Sequence, residues 1–354
     1  MKKIIHTLKQ KKLIPLDEFI NIALYDKRAG YYSKKNPFGK KGDFITSPLV
    51  SNLFGEMIAI WCVAYWEYLN KPRKILLVEL GPGDGSLCKT ILNSLKKFQE
   101  FYNCLEVSLL EISSKFKKIQ KRNISNEKVK WIDNIDQIKY GPIIFLGNEF
   151  FDSLPIKQFY RKKNLFFEKH VTLLKNKKNL RFTFKKAKKH LTNRLLNLNL
   201  ISSGTTIEYP IDTIKYLNQI MKKINLFNGG ILIFDYGYIH SVNQNTLQAV
   251  KKHRYANPLL NIGNSDISSH VNFGLLSKIF KKNNFNVEKI VTQSEFLQKV
   301  GINERANIIS KKMNFREKAN LYYKLKKLLD MKEMGKLFKV LFAQNNNGNF
   351  SIGF

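Results

Sequence analysis

The sequence predicts an α/β protein built around a doubly wound parallel sheet. Three observations indicate this class: unbroken apolar runs of strand length, a glycine-rich turn directly after the first run, and helical patterns between the runs. Parallel strands covered on both faces have this continuous apolar character. The runs lie at residues 75–80, 105–110, 143–147 and 231–234. Because ligands bind at the carboxyl ends of such strands, the residues after each run are site candidates.

The composition is that of a globular chain with a large excess of lysine. Its 354 residues include 61 basic and 27 acidic ones, giving a formal net charge of +34. Only nine of the basic residues are arginine and the lysines are scattered among asparagines, which favours a solvated surface over a nucleic-acid footprint. The composition therefore disfavours a nucleic-acid-binding role, and the net charge is the one feature that favours it.

The cysteines and the apolar segments limit the other classes. Cys62, Cys88 and Cys104 have no CxxC spacing, so neither a metal site nor a disulfide framework is predicted. No apolar segment reaches the roughly 18 residues of a membrane span. We expect a cytoplasmic protein in a bacterium, or a protein of the mitochondrial matrix in a eukaryote.

Residues 1–70 are predicted to form an N-terminal helical region that contributes to the site. Apolar residues recur at helical spacing in 13–30, and a second helix is predicted from about Leu49 to Tyr68, capped by Thr46 or Ser47. The turn before that helix contains Gly42 and Asp43.

Residues 71–345 are predicted to form the sheet domain, with an insertion at about 157–200. The insertion is rich in Lys and Asn and contains an alternating apolar patch, which indicates β or mixed structure. From about Arg316 to Val340, leucines on one face predict one or two basic amphipathic helices packed on the core.

The glycine-rich turn follows Glu79 and has glycines at 81, 83 and 85. Glycine lets the backbone approach a ligand closely. The spacing differs from the GxGxxG pattern of dinucleotide sites, and Pro82 removes an amide that a pyrophosphate would use. A cofactor without phosphate is therefore favoured over NAD(P), and the remaining alternative is a tight strand-to-helix turn.

Carboxylates follow the next two apolar runs. Glu111 ends the run at 105–110, where a carboxylate can accept hydrogen bonds from both ribose hydroxyls, or can simply be a surface residue. Asn148, Glu149 and Asp152 follow the run at 143–147. Their carboxylates can hold a cationic nitrogen by charge-assisted hydrogen bonds, or can cap the following segment. The segment DYGY at 235–238 likewise places an acidic residue directly after an apolar run, with an ordinary turn as the alternative.

Six segments occur in the order seen in the MidA family, which the chain resembles over roughly residues 13–345. These are GDFITSP (42–48), LFGE (53–56), VELGPG (78–83), NEFFD (148–152), DYGY (235–238) and SHVNF (269–273). The family includes mitochondrial complex I assembly methyltransferases, which act on protein arginine. The resemblance implies a Rossmann-like class I methyltransferase fold, the cofactor S-adenosyl-L-methionine and a protein substrate such as a complex I subunit.

The resemblance also implies roles for individual residues. Cofactor-binding roles fall on Gly42, Asp43, Glu79, Gly81, Gly83, Gly85 and Glu111, and acceptor-binding or catalytic roles on Asn148, Glu149 and Asp152. Asn245, Ile262 and Asn272 depart from the family pattern, so His270 is either a site residue or a core histidine that fixes a loop.

The resulting hypothesis is methyl transfer to a nitrogen of a protein arginine. Three alternatives stay open: an RNA methyltransferase, an NAD(P)-dependent oxidoreductase and a non-enzymatic assembly factor that retains the fold.

Overall fold

The computed structural model describes residues 2–34, 46–174, 179–200, 206–240, 245–345 and 348–354. Its helices are α1 (Lys2–Lys11), α2 (Leu16–Tyr25), α3 (Tyr31–Lys34), α4 (Ser47–Val50), α5 (Asn52–Tyr68), α6 (Ser86–Leu95), α7 (Gln99–Cys104), α8 (Ser114–Ile124), α9 (Lys189–Asn197), α10 (Ile211–Phe227), α11 (Phe273–Lys282), α12 (Gln293–Lys299), α13 (Ile302–Ser310), α14 (Phe315–Leu329) and α15 (Met334–Leu337). Among them, no helix is both long enough and apolar enough to cross a lipid bilayer.

The strands are β1 (Ile14–Pro15), β2 (Ile75–Leu80), β3 (Leu105–Leu110), β4 (Val129–Ile132), β5 (Ile143–Asn148), β6 (Lys157–Lys162), β7 (Leu165–Leu173), β8 (Leu180–Lys186), β9 (Ile207–Tyr209), β10 (Gly229–Tyr238), β11 (Gln248–Lys251), β12 (Arg254–Ala256), β13 (Asp266–Ser268), β14 (Val271–Asn272), β15 (Phe285–Val287), β16 (Val291–Thr292) and β17 (Phe338–Asn345).

The chain forms two compact units, each assembled from three segments. The large-sheet unit consists of Ile45–Phe150, Asn218–Ile239 and Val271–Phe354. The antiparallel unit consists of Met1–Phe44, Phe151–Leu217 and His240–His270.

The large-sheet unit contains a mixed sheet in the order β15-β17-β10-β5-β2-β3-β4, with β14 beside β10 and β16 beside β17. The five strands from β10 to β4 are mutually parallel, and β17 is antiparallel to β10. The chain winds outward from β2 in one direction and resumes at β5 in the other, which places a topological switch point between β2 and β5. The predicted α/β class is confirmed.

The predicted helix over 49–68 is interrupted at Ser51, which was not foreseen. Ser51 has an extended backbone (φ −155°, ψ 140°), and its hydroxyl accepts the N–H of Leu53, so it caps α5. Thr46 stands before α4 but makes no capping hydrogen bond from its side chain. Helix α5 packs with α6 in the main apolar core, where Phe54, Met57 and Trp61 are fully buried.

The turn considered as the alternative for residues 235–238 is absent, because β10 continues through them and pairs with β17 and β14. Two helices, α14 and α15, are found in the region predicted to be helical from about Arg316 to Val340, but the helical part ends at Leu337 and the residues from Phe338 onward form β17. A strand between β10 and β15 is specified by long-range pairing, which the local leucine pattern does not show.

The antiparallel unit contains two smaller sheets. One has the order β1-β7-β6-β9 with β8 beside β7, and the other has the order β12-β11-β13. Helix α2 packs in an apolar core with residues of β1, β7 and β13, including Phe19, Val171 and Ile267. Strands β6, β7 and β8 and helix α9 occupy residues 157–197.

Candidate active site

The glycine-rich turn after β2 has a backbone that only glycine adopts easily. Gly81, Gly83 and Gly85 have φ values of 60°, 56° and 83°, all in the left-handed region. The N–H of Gly81 donates to the carbonyl of Leu110 at 3.1 Å, which ties the turn to the end of β3. A Cβ atom at Gly81 would lie 2.8 Å from the ring of Phe150. The turn is therefore close-packed and excludes larger residues at this position.

Glu79 lies inside β2, just before the turn, and is 3% exposed. Burial, with a contribution from the negative charge of Asp84, raises its pKa to about 8. Burial disfavours the charged form of a carboxyl group. Glu79 therefore presents a largely neutral carboxyl group at pH 7.

Glu111 directly follows β3 and is 8% exposed. Its Oε1 accepts the N–H of Ser113 at 2.7 Å, and its Oε2 accepts the Nε2 group of Gln120 at 3.1 Å. Burial raises the pKa of this carboxyl group, and hydrogen bonds from Ser113, Gln120 and the backbone of Ile112, together with the charge of Lys117, partly offset the rise. Since a carboxylate has about four acceptor sites, Glu111 has capacity for a further donor, such as a ligand hydroxyl.

The side chains that connect the glycine-rich turn with Glu111 were not identified from the sequence. Gln120 is fully buried and donates to the carbonyl of Gly83 at 2.8 Å as well as to Glu111, while Asn123 donates to the carbonyl of Asp84 at 2.9 Å. Gln120 lies on the buried stripe of α8 between Phe116 and Ile124. A glutamine at the centre of an apolar helical stripe was the signal that could have revealed it.

Asn148 ends β5 and Glu149 follows in a left-handed conformation, with φ of 51°. The backbone N–H of Glu149 donates to the carbonyl of Phe234 at 2.9 Å, and its Oε1 accepts the N–H of Ser47 at 3.3 Å and Nδ2 of Asn148 at 3.4 Å. Such a backbone costs of order 1–3 kcal/mol for a residue other than glycine and is often found at functional sites.

The Oδ1 atom of Asn148 is shielded from solvent and has no hydrogen-bond partner among the described residues. Since Nδ2 faces the carboxylate of Glu149, an acceptor, the orientation of the amide is defined. A buried acceptor without a donor is costly, and a ligand N–H group would satisfy it.

Asp152 belongs to the antiparallel unit rather than to the unit that holds Glu149. Its side chain is buried, and its carbonyl accepts the N–H of Ser269 at 3.1 Å. Tyr25 and Tyr32, which stack with ring centroids 5.5 Å apart, are partly buried in the same unit. Burial raises the pKa of both hydroxyls, with smaller contributions from the charges of Asp266 and Asp152.

The departures from the family pattern have local structural roles. Asn272 caps α11 by accepting the N–H of Leu275 at 2.9 Å, and Asn245 accepts Nε2 of Gln158 at 2.5 Å. Ile262 is buried in the apolar core of its unit. The backbone N–H of His270 donates to the hydroxyl of Thr246 at 3.0 Å, so its main chain is anchored in the loop.

Of the residues predicted for the site, Gly42 and Asp43 lie outside the described residues. Except for Asp152, the remaining predicted site residues belong to the large-sheet unit. They lie at the end of β2, β3 or β5 or in the turn that follows the strand. The carboxyl ends of these parallel strands lie at one edge of the sheet. Within the described ranges, no group of three or more His, Cys, Asp or Glu side chains could hold a metal ion.

A sequence model of one protein family matches residues 57–291, about two thirds of the chain, and the family is described as "Putative S-adenosyl-L-methionine-dependent methyltransferase". The chain is 33% identical over 324 residues to the mitochondrial protein arginine methyltransferase NDUFAF7 homolog of Caenorhabditis elegans, covering 82% of this chain and 74% of the relative. It is 26% identical to the human mitochondrial protein arginine methyltransferase NDUFAF7, covering 96% of this chain and 81% of the relative.

The fold is also similar to that of a solved structure from Burkholderia thailandensis, which has S-adenosyl-homocysteine bound. The TM-score is 0.87 at 20% sequence identity, and the match covers 100% of this chain and 93% of that one. At this identity the likeness concerns the fold.

Proposed function

Because the chain belongs to this family of S-adenosyl-L-methionine-dependent methyltransferases, we propose that it methylates an arginine side chain of a protein, a subunit of respiratory complex I. The observation that carries the proposal is the similarity over 96% of the chain to a protein arginine methyltransferase. The complex I subunit is proposed from the resemblance to the MidA family. We place the protein in the bacterial cytoplasm or the mitochondrial matrix.

The residues of the large-sheet unit fit the cofactor. When bound, S-adenosyl-L-methionine supplies a sulfonium methyl group that a nitrogen lone pair can attack. We propose that Glu111 accepts a hydrogen bond from a ribose hydroxyl, because its carboxylate retains acceptor capacity in a buried position. Gly81, Gly83 and Gly85 let the backbone approach the cofactor, and Glu79 adds little negative charge there at neutral pH.

The proposed acceptor residues are Asn148, Glu149 and Asp152. The carboxylate of Glu149 would hold the guanidinium, and Oδ1 of Asn148 would accept one of its N–H groups. Asp152, three residues after Glu149 in the chain, is proposed as the second carboxylate. Binding by planar, charge-assisted hydrogen bonds fixes the orientation of the guanidinium and presents one nitrogen to the methyl group.

The test is single-turnover transfer of a labelled methyl group to the purified complex I subunit, followed by mass spectrometry for methylarginine. Glu149→Gln removes the charge and keeps the shape, so we expect transfer to fall tenfold or more, which corresponds to about 1.4 kcal/mol or more. Asp152→Asn is expected to act in the same direction. Cofactor affinity, measured by calorimetry, should stay within about twofold.

Glu127→Gln is the matched control, because it makes the same change at an exposed carboxylate. It should leave transfer unchanged. Label found in RNA instead of protein would replace the proposal by RNA methylation, and label on a residue other than arginine would refute the substrate class. Undiminished transfer by both site variants would remove Glu149 and Asp152 from the acceptor site.

A further inference from the structure

Gln120 connects three parts of the large-sheet unit through one buried carboxamide. Its Nε2 group donates to the carbonyl oxygen of Gly83 at 2.8 Å and to Oε2 of Glu111 at 3.1 Å. Its Oε1 accepts the indole N–H of Trp131 at 2.8 Å. The side chain is 0% exposed, so these partners satisfy it without solvent.

The chemistry of the partners defines the orientation of this amide. A peptide carbonyl and an ionised carboxylate only accept hydrogen bonds, and an indole N–H only donates. Rotating the amide by 180° would place its oxygen against the oxygens of Gly83 and Glu111 and its NH₂ group against the Trp131 N–H. All three hydrogen bonds would then be lost, which makes the observed orientation strongly preferred.

The position of Gln120 on α8 explains why a polar residue is tolerated there. Phe116 and Ile124 precede and follow it by one helical turn on the same buried face. An apolar residue would pack in this stripe, yet it would leave the carbonyl of Gly83, the carboxylate oxygen and the indole N–H short of a partner. Gln120 therefore supplies hydrogen bonds to the glycine-rich turn and to the carboxylate of Glu111, in addition to filling its place in the packed stripe.

We propose that Gln120 is a positioning residue of the cofactor site, which fixes the carboxylate of Glu111 relative to the glycine-rich turn so that both meet the cofactor together. The proposal rests on the cofactor role assigned to Glu111 above. The groups facing this carboxylate are Gln120, the backbone N–H groups of Ile112 and Ser113, and the charge of Lys117.

The proposal has a consequence for pH dependence. Glu111 accepts hydroxyl hydrogen bonds best when ionised, and the Gln120 donor lowers the pKa of this carboxyl group against the rise caused by burial. Without that donor the pKa rises further, so the ionised form is lost at a higher pH. The pH at which cofactor affinity falls to half should therefore shift upward in a variant that lacks the donor.

The experiment is calorimetric binding of S-adenosylhomocysteine between pH 5 and pH 9. In Gln120→Met, of similar length, we expect tenfold or weaker affinity at pH 7 and an upward shift of the pH midpoint. Trp131→Phe removes the hydrogen bond that fixes the amide and should give a smaller change in the same direction. If thermal unfolding shows that Gln120→Met does not fold, Trp131→Phe is the variant that tests the proposal.

Asn123→Ala is the matched control, because Asn123 lies on the same helix and anchors the same turn through the carbonyl of Asp84. It should lower affinity modestly at all pH values and leave the pH midpoint where it is in the wild type. An unshifted midpoint in both Gln120→Met and Trp131→Phe, or in Trp131→Phe alone if Gln120→Met does not fold, would overturn the proposal.

Glu111→Gln separates this proposal from the assignment on which it rests. If Glu111→Gln binds like the wild type, the proposed role of Glu111 fails. If Glu111→Gln binds weakly while a folded Gln120→Met binds normally, only the positioning role fails. If both roles hold, Gln120→Met should weaken binding much less in the Glu111→Gln background, because the two residues act through one carboxylate.

Discussion

Two buried carboxylates, Glu168 in the antiparallel unit and Glu111 in the large-sheet unit, have different kinds of partner. In the antiparallel unit, Nζ of Lys157 lies 2.6 Å from Glu168 and 2.8 Å from Asp17, so a cation balances the acids. In the large-sheet unit, Glu111 receives neutral donors, and within the described ranges neither it nor Glu79 forms an ion pair. Buried acids without counterions cost stability. The burial of Glu111 and Glu79 without a counterion indicates a binding role, whereas the ion pairs of Glu168 and Asp17 with Lys157 indicate a structural one.

Lys157→Met should produce the largest loss of stability. It leaves the buried carboxylate of Glu168 without its cation, and breaking a buried ion pair by removing one partner typically costs about 3–5 kcal/mol. The measurement is the free energy of unfolding from urea denaturation. Cofactor binding at temperatures where the variant is folded should be unaffected.

Lys215→Met is the control within the same unit. Lys215 pairs with Asp212 on an exposed surface, and such pairs are worth less than about 1 kcal/mol. If the two lysine variants lost equal stability, the ion pairs of Lys157 would have no special structural role.

Glu79→Gln should increase stability by about 1–3 kcal/mol at pH 8, since it removes an ionisable group from a buried position. The folded-state pKa of about 8 lies above the ordinary value of 4.5, so the contribution of Glu79 to stability is present below pH 4.5 and is lost as the pH rises through 8. The variant should therefore gain little at pH 4 and most above pH 8, as thermal unfolding across this range will show.

Glu106→Gln, a substitution in the same unit, is expected to lower the folding stability, whereas Glu79→Gln raises it. Hydrogen bonds from Tyr140 and Lys130 lower the pKa of Glu106, so its contribution is present at neutral pH and is lost as the pH falls through the folded-state pKa. The variant should be less stable than the wild type at pH 8, with the difference fading in acid. For Glu79, a stability difference between the wild type and Glu79→Gln that stayed constant from pH 4 to pH 9 would contradict the raised pKa of the buried carboxyl group.

The large-sheet unit was predictable because its signals are local. Its strands are continuous apolar runs, and residues 75–80 and 105–110 form β2 and β3 with the predicted bounds. The glycine-rich turn and Glu111 could be placed for the same reason, since each directly follows such a run.

The antiparallel unit and the network around Gln120 depend on long-range contacts. Strand β1 pairs with β7, so that Ile14 lies opposite Val171, and no local pattern specifies this pairing. Gln120 meets Gly83, Glu111 and Trp131 from three different elements. Strand β17 was also not predicted. Its position in the sheet depends on antiparallel pairing with β10 and β15, which are distant in the sequence.

Binding of S-adenosylhomocysteine to Glu111→Gln and Glu208→Gln at pH 8 tests the central claim most directly. Glu208 is a half-buried acid of the antiparallel unit that accepts hydrogen bonds from Thr246 and Gln158 and lies near the charge of Lys169, so the two variants make the same change in the two units. A hydrogen bond to a charged group is worth about 1.5–3 kcal/mol, so Glu111→Gln should bind about tenfold or more weakly, and Glu208→Gln within about twofold of the wild type. Equal affinities for both variants, or a loss confined to Glu208→Gln, would contradict the placement of the cofactor in the large-sheet unit.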